Sequence, residues 1–502
     1  MFNQLRNLTT KAATLKGIGA LLSWDQETGM PAGAIDARAD QTALISELEH
    51  EVWISDHFQS TLSQLIDLKS GELKDNTLSE PEQTAVRLIY KDWKHAKALP
   101  SDFVSRYADA TSRCQHAWAD ARAANDFKQF APHLAAIVDL TKEKASYFPG
   151  FTCVYDALLD EFEPDMTVAE LSPLFADLRD QTLALLHEIN DRRPHATFAT
   201  LKGHFDLESQ RQFSLELLRD IGFDFTRGRF DPSVHPFTTD LHPTDIRITT
   251  RYDQHDLMEN ISSTLHEAGH GMYEQGLNAD WVGTPLCESL SLGIHESQSR
   301  FWENVVGRSH PFIEAYLPSI QQRFPTPFAA VDATAVYRAF NQVHPSLIRV
   351  QADELTYNLH ILIRYEVEQL LFNGSATIAE LPEIWNQKYE DYLGIRPSSD
   401  ATGILQDVHW SAGLFGYFPT YTLGNLFCAQ YSEVLKADLP NFDALVRSRD
   451  FAPILGWLRG HIHQVGRGLT APELIQKTTG MPLSADAFIR YARQKFLDIY
   501  TV

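Results

Sequence analysis

The stretch Asp256–Gly276, DLMENISSTLHEAGHGMYEQG, decides how the rest of the chain is read. Leu257, Ile261, Leu265, Ala268 and Met272 recur at steps of four, four, three and four, the apolar stripe of an amphipathic helix. Gly276 is placed to stop it. Inside this helix lies His266-Glu267-Ala268-Gly269-His270. Residues four apart share a helical face, so both imidazoles can reach one ion. Glu267 sits about a third of a turn away, where it meets a water on that ion rather than the ion itself. Two imidazoles suit zinc, and a hydrolytic site needs a third protein ligand with one position left open.

The next helical segment, LCESLSLGIHESQSRFWENVVG, carries Leu286, Leu290, Ile294, Phe301 and Val305 as its core stripe. Glu296 lies beside that stripe and is the expected third ligand, since a helix, a turn and an antiparallel return bring its carboxylate against the first helix. His295 and Glu288 are rivals that spacing alone does not exclude. A metzincin would carry Gly at position 273 and His at 276; Tyr273 and Gly276 exclude that subclass.

Working outward, helical periodicity dominates. It recurs over Thr14–Trp24, Thr84–His95, Phe103–Ala124, Leu171–Ile189 and the strongly apolar Thr356–Leu371. Polar breaks at Lys69–Gln83 and Arg308–Phe312 read as helix connections. One region departs from the rule. Phe225–Tyr252 is rich in Pro, Gly, His and Thr and ends in DIRITTRY, where Ile246, Ile248, Thr250 and Tyr252 alternate with polar residues. That period of two predicts a short strand just before the motif helix, with an edge to which an extended peptide could pair.

The 502 residues carry a formal charge of −23 and are 44% hydrophobic and 22% charged, an ordinary globular composition. So acidic a surface repels phosphate backbones and anionic headgroups, which excludes nucleic acid and membranes as expected partners. The segment MFNQLRNLTTKAATLKG lacks a secretory pattern, and no apolar run reaches the roughly 18 residues of a membrane span. Four scattered cysteines (Cys114, Cys153, Cys287, Cys428) read as reduced thiols in a cytoplasmic protein.

Several segments together resemble the carboxypeptidase Taq family of zinc metallocarboxypeptidases. They are SWDQETGMP (Ser23–Pro31), HPF (His235–Phe237), DIRIT (Asp245–Thr249), HEAGH (His266–His270), HESQ (His295–Gln298), IRVQAD (Ile348–Asp353), GILQDVHW (Gly403–Trp410) and GYFPTYTLGN (Gly416–Asn425). The resemblance implies a mainly α, neurolysin-like gluzincin fold with a deep central groove and a small sheet near the HEAGH helix. The expectation is a single bilobed domain over residues 1–502. It also implies release of single C-terminal amino acids from peptides, one Zn2+ per subunit with Co2+ as a possible substitute, and a homodimer. Carried onto this chain, the metal ligands are His266, His270 and Glu296, and Glu267 is the general base.

Residue chemistry adds candidates around that core. The oxyanion needs a hydrogen-bond donor, for which Tyr421, Tyr417 and His409 compete, Tyr421 being favoured. A free C-terminal carboxylate needs local positive charge, and Arg349 is the candidate. It reads as opening a helix on which Arg349, Asp353, Tyr357 and His360 form a polar stripe. Arg247 and Asp245 stand on the expected strand, either at the groove or as a pair that pins the strand. His235 is a candidate for orienting substrate, and Asp407 and Gln406 for fixing a histidine tautomer. The competing functions are an oligoendopeptidase or dipeptidyl carboxypeptidase with the same metal chemistry, and a non-catalytic metal-holding scaffold. Retention of Glu267 argues against the scaffold, because a structural zinc needs no base.

Overall fold

The computed structural model describes residues 1–501. As expected, the chain is mainly helical with one small sheet. It divides into two compact units, each assembled from three stretches of sequence: Met1–Lys97, Phe198–Phe340 and Tyr431–Pro482 in the first, Ala98–Thr197, Asn341–Gln430 and Leu483–Val502 in the second.

The first unit holds the sheet and the HEAGH helix. Strands β1 (Gly228–Pro232), β2 (Thr238–His242) and β3 (Asp245–Thr250) are ordered β1-β3-β2, with β1 parallel and β2 antiparallel to β3. The period of two holds over the first four residues, where buried Ile246 and Ile248 alternate with partly exposed Asp245 and Arg247, and it breaks at Thr249, which is buried together with Thr250. The strand ends before Tyr252. The expected free edge is corrected, because β3 is the middle strand and both its sides are already paired; the outer strands are β1 and β2.

The HEAGH helix runs Leu257–Glu274, and the Asp256 carboxylate accepts the Glu259 amide at 3.0 Å to cap it. It ends without a left-handed glycine: Gln275 is the capping residue, and Gly276 is required instead by packing, since a Cβ there would lie 2.3 Å from His463 Nδ1. Two glycines inside the helix allow its close contacts. A Cβ on Gly269 would lie 2.4 Å from the Gln298 carbonyl, and one on Gly271 would lie 2.8 Å from Ile248. The first lets the Leu292–Arg300 helix come into backbone contact; the second seats the sheet on the opposite side. The Leu292–Arg300 helix then widens into a π-helical turn over Phe301–Gly307.

In the second unit the Tyr357–Phe372 helix is buried on nearly every side, as its apolar sequence predicts. Glu368 is fully buried in it and accepts hydrogen bonds from Tyr155 Oη (2.7 Å), Trp410 Nε1 (2.8 Å) and the Gly416 amide (3.1 Å). Burial outweighs these three donors and carries the carboxyl up to about 7, from an ordinary 4.5. A folded pKa above the unfolded one favours the fold most below about pH 4.5, and that advantage is lost as pH rises through 7. Glu368→Gln removes the titration. Between those limits, the variant's stability is expected to fall less steeply with pH than the parent's, by up to about 1 kcal/mol per pH unit. Thermal unfolding across that range reads the difference, and parallel profiles would contradict it.

Candidate metal centre

His266 and His270 project from one face of the HEAGH helix, and Glu296 reaches them from the Leu292–Arg300 helix, whose start is capped by Ser291 Oγ accepting the Ile294 amide. Glu296 Oε2 lies 3.6 Å from His266 Nε2 and 3.4 Å from His270 Nε2. The three residues form a group that could hold a metal ion. Donors about 2.1 Å from a tetrahedral cation sit about 3.4 Å apart, which the two sides to Glu296 match. The electrostatics fit as well. Burial alone would lower the pKa of His266, but Glu296, Glu303 and Glu267 override it and raise the imidazole to about 9. Burial above all holds His270 down at about 3. Glu296 is buried yet stays well below the carboxylate range, because Arg300 and His266 face it.

Glu267 is 6% exposed, next to the triangle but not part of it. Burial pushes its pKa up, against the pull of His266 and of Thr238 Oγ1, which donates to Glu267 Oε2 at 2.6 Å. Strand β2 thus positions the carboxylate. Behind the triangle, Arg300 Nε donates to Glu296 Oε1 (2.6 Å) and its Nη1 to Glu303 Oε2 (3.2 Å). Glu303 Oε2 in turn lies 2.9 Å from His266 Nδ1. Of the two rivals for third ligand, Glu288 pairs with Arg467 at 2.9 Å, and His295 meets His270 Nδ1 rather than joining the donor triangle.

The remaining candidates in the first unit are spread around the sheet. Arg247 forms a two-point pair with Asp245 (3.0 Å and 3.0 Å) and lies 4.5 Å over the Trp24 ring. His235 is exposed in the turn between β1 and β2, its carbonyl accepting from Ser233 Oγ at 2.6 Å.

The second unit gathers the other candidates. Asp407 accepts from Arg349 through Nε (3.0 Å) and Nη2 (2.9 Å), and from Arg364 through Nε at 2.7 Å. Arg349 Nη1 also donates to Tyr357 Oη (3.2 Å), and its guanidinium lies 5.0 Å over the Tyr421 ring. Gln406 Oε1 accepts the Arg349 amide at 2.9 Å. His409 Nε2 and Tyr421 Oη are 3.2 Å apart, and the rings of Tyr417 and Tyr421 are 5.4 Å apart. Burial, then the Arg349 charge, lowers His409 to about 3, so the imidazole is neutral.

Two expectations are corrected here. Arg349 does not open a helix: Arg349–Gln351 is a separate 3-10 turn, and the helix begins only at Tyr357. Asp353 therefore leaves Arg349 alone and instead accepts the Leu355 and Thr356 amides, both at 3.0 Å. Asp407 and Gln406 do not fix a histidine tautomer; they hold the side chain and backbone of Arg349, because two buried guanidiniums claim the carboxylate.

A family model described as carboxypeptidase Taq (M32) metallopeptidase matches residues 4–496. The chain belongs to the carboxypeptidase Taq family. It is 40% identical over 483 residues to carboxypeptidase 1 of Bacillus subtilis, covering 96% of this chain and 95% of that one. It is also 40% identical over 510 residues to thermostable carboxypeptidase 1 of Thermus thermophilus, covering 99% of both. The crystal structure of the M32 carboxypeptidase from Deinococcus radiodurans superposes with a TM-score of 0.96 at 39% identity, over 100% of this chain and 99% of that one. This carboxypeptidase Taq family member is a metallocarboxypeptidase, and its family uses a divalent metal. Among the described residues, no helix is long and apolar enough to cross a membrane.

Sequence reasoning missed Thr238, Glu274, Arg300, Glu303 and Arg364. Glu296, Arg300 and Glu303 stand at i, i+4 and i+7, a spacing that marks one helical face and could have been used. Nothing local points to Thr238 or to the pairing of Arg364 with Asp407, which join distant parts of the sequence.

Proposed function

We propose that this metallocarboxypeptidase uses zinc held by His266, His270 and Glu296 to release single amino acids from the free C-terminus of peptides. Cobalt is a possible substitute, with one ion per chain. The observation that carries the reading is the buried Glu267 beside a donor triangle of two imidazoles and one carboxylate, with Thr238 holding its Oε2. A cation there supplies Lewis-acid polarisation of water and of the scissile carbonyl. Glu267 then takes the proton of the attacking water and passes it to the leaving amine. A carboxyl raised by burial suits both halves of that transfer. Tyr421 is our candidate donor to the oxyanion, with its neighbours His409 and Tyr417 as alternates. An extended peptide would pair with an outer strand such as β2, while Arg247, Asp245 and His235 are proposed to bound and orient it.

Arg349 is proposed to recognise the substrate carboxylate. Two guanidiniums share the one Asp407 carboxylate, and the histidines beside them are held neutral, so the cluster carries the surplus positive charge that an anionic terminus would neutralise. Arg349→Ala is expected to raise KM for a free-acid peptide by about 10–100-fold, the worth of a hydrogen bond to a charged group. Steady-state kinetics on free and amidated peptides read this; an unchanged preference for the free acid would remove Arg349 from the role.

We further propose a homodimer, which rests on the family resemblance, and a cytoplasmic location, supported by the free thiols of Cys114, Cys153 and Cys287. Metal analysis of the purified protein tests the zinc reading. About one zinc per chain, lost with activity on chelation and restored with it, is expected; full activity after complete removal of metal would overturn it.

A further inference from the structure

A histidine that offers Nε2 to a cation must carry its proton on Nδ1, and something must accept that proton's hydrogen bond. His266 finds a carboxylate there, Glu303 Oε2 at 2.9 Å. His270 finds another imidazole: its Nδ1 lies 2.5 Å from Nδ1 of His295. Two ring nitrogens at that distance hold one proton between them, because two would clash and none would leave facing lone pairs. The demand on His270 sets which ring donates: with its Nε2 left free for the cation, the shared proton is its own Nδ1–H, and His295 must carry its proton on Nε2. His295 Nε2 lies 2.8 Å from Glu274 Oε1, a carboxylate oxygen placed to accept its proton. With the His295 proton on Nε2, its Nδ1 is a lone pair, open to the His270 proton.

We propose that His295, backed by Glu274, is the positioning residue that fixes His270 as its Nδ1–H tautomer and aims its Nε2 lone pair at the cation site. This rests on the reading of His266, His270 and Glu296 as a metal site. The local sequence serves it well. Glu274 follows His270 by four residues on one helical face and is 5% exposed, and His295 directly precedes Glu296, so one turn of helix supplies both the third donor and the support for the second. An imidazole relays the hydrogen bond without setting another carboxylate directly against a site that already has Glu267, Glu296 and Glu303. The Tyr273 ring, with its centroid 5.3 Å from that of His295, limits the imidazole's freedom to turn.

The test uses the full-length chain with zinc or cobalt alone as probe. His295→Phe fills the space but neither accepts nor donates, whereas His295→Asn keeps an acceptor oxygen close to the position of Nδ1. Competition with a chromophoric chelator is expected to show zinc binding weakened about 10–100-fold in the Phe variant and restored to within several-fold of the parent by Asn. Proton NMR of the cobalt-loaded parent is expected to show two exchangeable, hyperfine-shifted ring N–H signals, of which the Phe variant loses one. Parent-like affinity in the Phe variant, or a cobalt-loaded parent with a single such signal, would overturn the relay while leaving the metal site standing. The parent spectrum decides even where the Phe variant does not fold. A parent that binds neither zinc nor cobalt would overturn both readings at once.

Discussion

Glu267→Gln is expected to keep one zinc per chain and lose turnover by about a thousandfold or more. Glu267 lies outside the donor triangle, so the amide leaves all three proposed ligands in place. Gln also presents an oxygen to Thr238 Oγ1, which preserves the 2.6 Å hydrogen bond that orients the side chain. What the amide cannot do is take a proton. The loss should therefore fall on kcat with little change in KM, because the interaction is made in the transition state. Parallel measurement of metal content and steady-state rates separates this from simple loss of the ion. A variant with near-parental kcat and full metal would remove Glu267 as the base.

Asp407→Asn is expected to be the most destabilising single change in the second unit, costing about 3–5 kcal/mol. Asp407 is the shared counter-charge of two guanidiniums whose side chains are only 8% and 0% exposed. Burial would raise its pKa, but Arg364 and then Arg349 hold it well below the usual carboxylate range. The carboxylate stays charged at any pH where the protein is handled, so its contribution is lost only as pH falls below the ordinary value of 3.8. With an amide in its place the two cations keep their burial and lose their compensation. Denaturant unfolding at neutral pH measures the cost; a change under about 0.5 kcal/mol, typical of an exposed surface site, would show that the cluster is not held by this charge.

What the sequence made legible was local. The proposed ligand pair and base stand within five residues of one helix, so spacing alone brings them together, and Glu296 follows from the next amphipathic stripe. The alternation of Ile246, Ile248 and Thr250 likewise gives the strand. The errors are failures of range. Steps of four from Arg349 to Asp353 to Tyr357 count correctly along a helix that is not there, because Asp353 turns its carboxylate to the amides of Leu355 and Thr356 and breaks the run. Whether β3 is an edge depends on its pairing with β1 and β2, which alternation within one strand does not encode. Asp407 meets guanidiniums 58 and 43 residues away, and only the folded chain shows that it serves both.

The most direct measurement is mass spectrometry of a peptide of five to ten residues, offered with a free or an amidated C-terminus, with and without chelator. Stepwise loss of single C-terminal residues from the free peptide only, abolished by chelator, is the expected result. Equal internal cleavage of both peptides would contradict it and mark an endopeptidase.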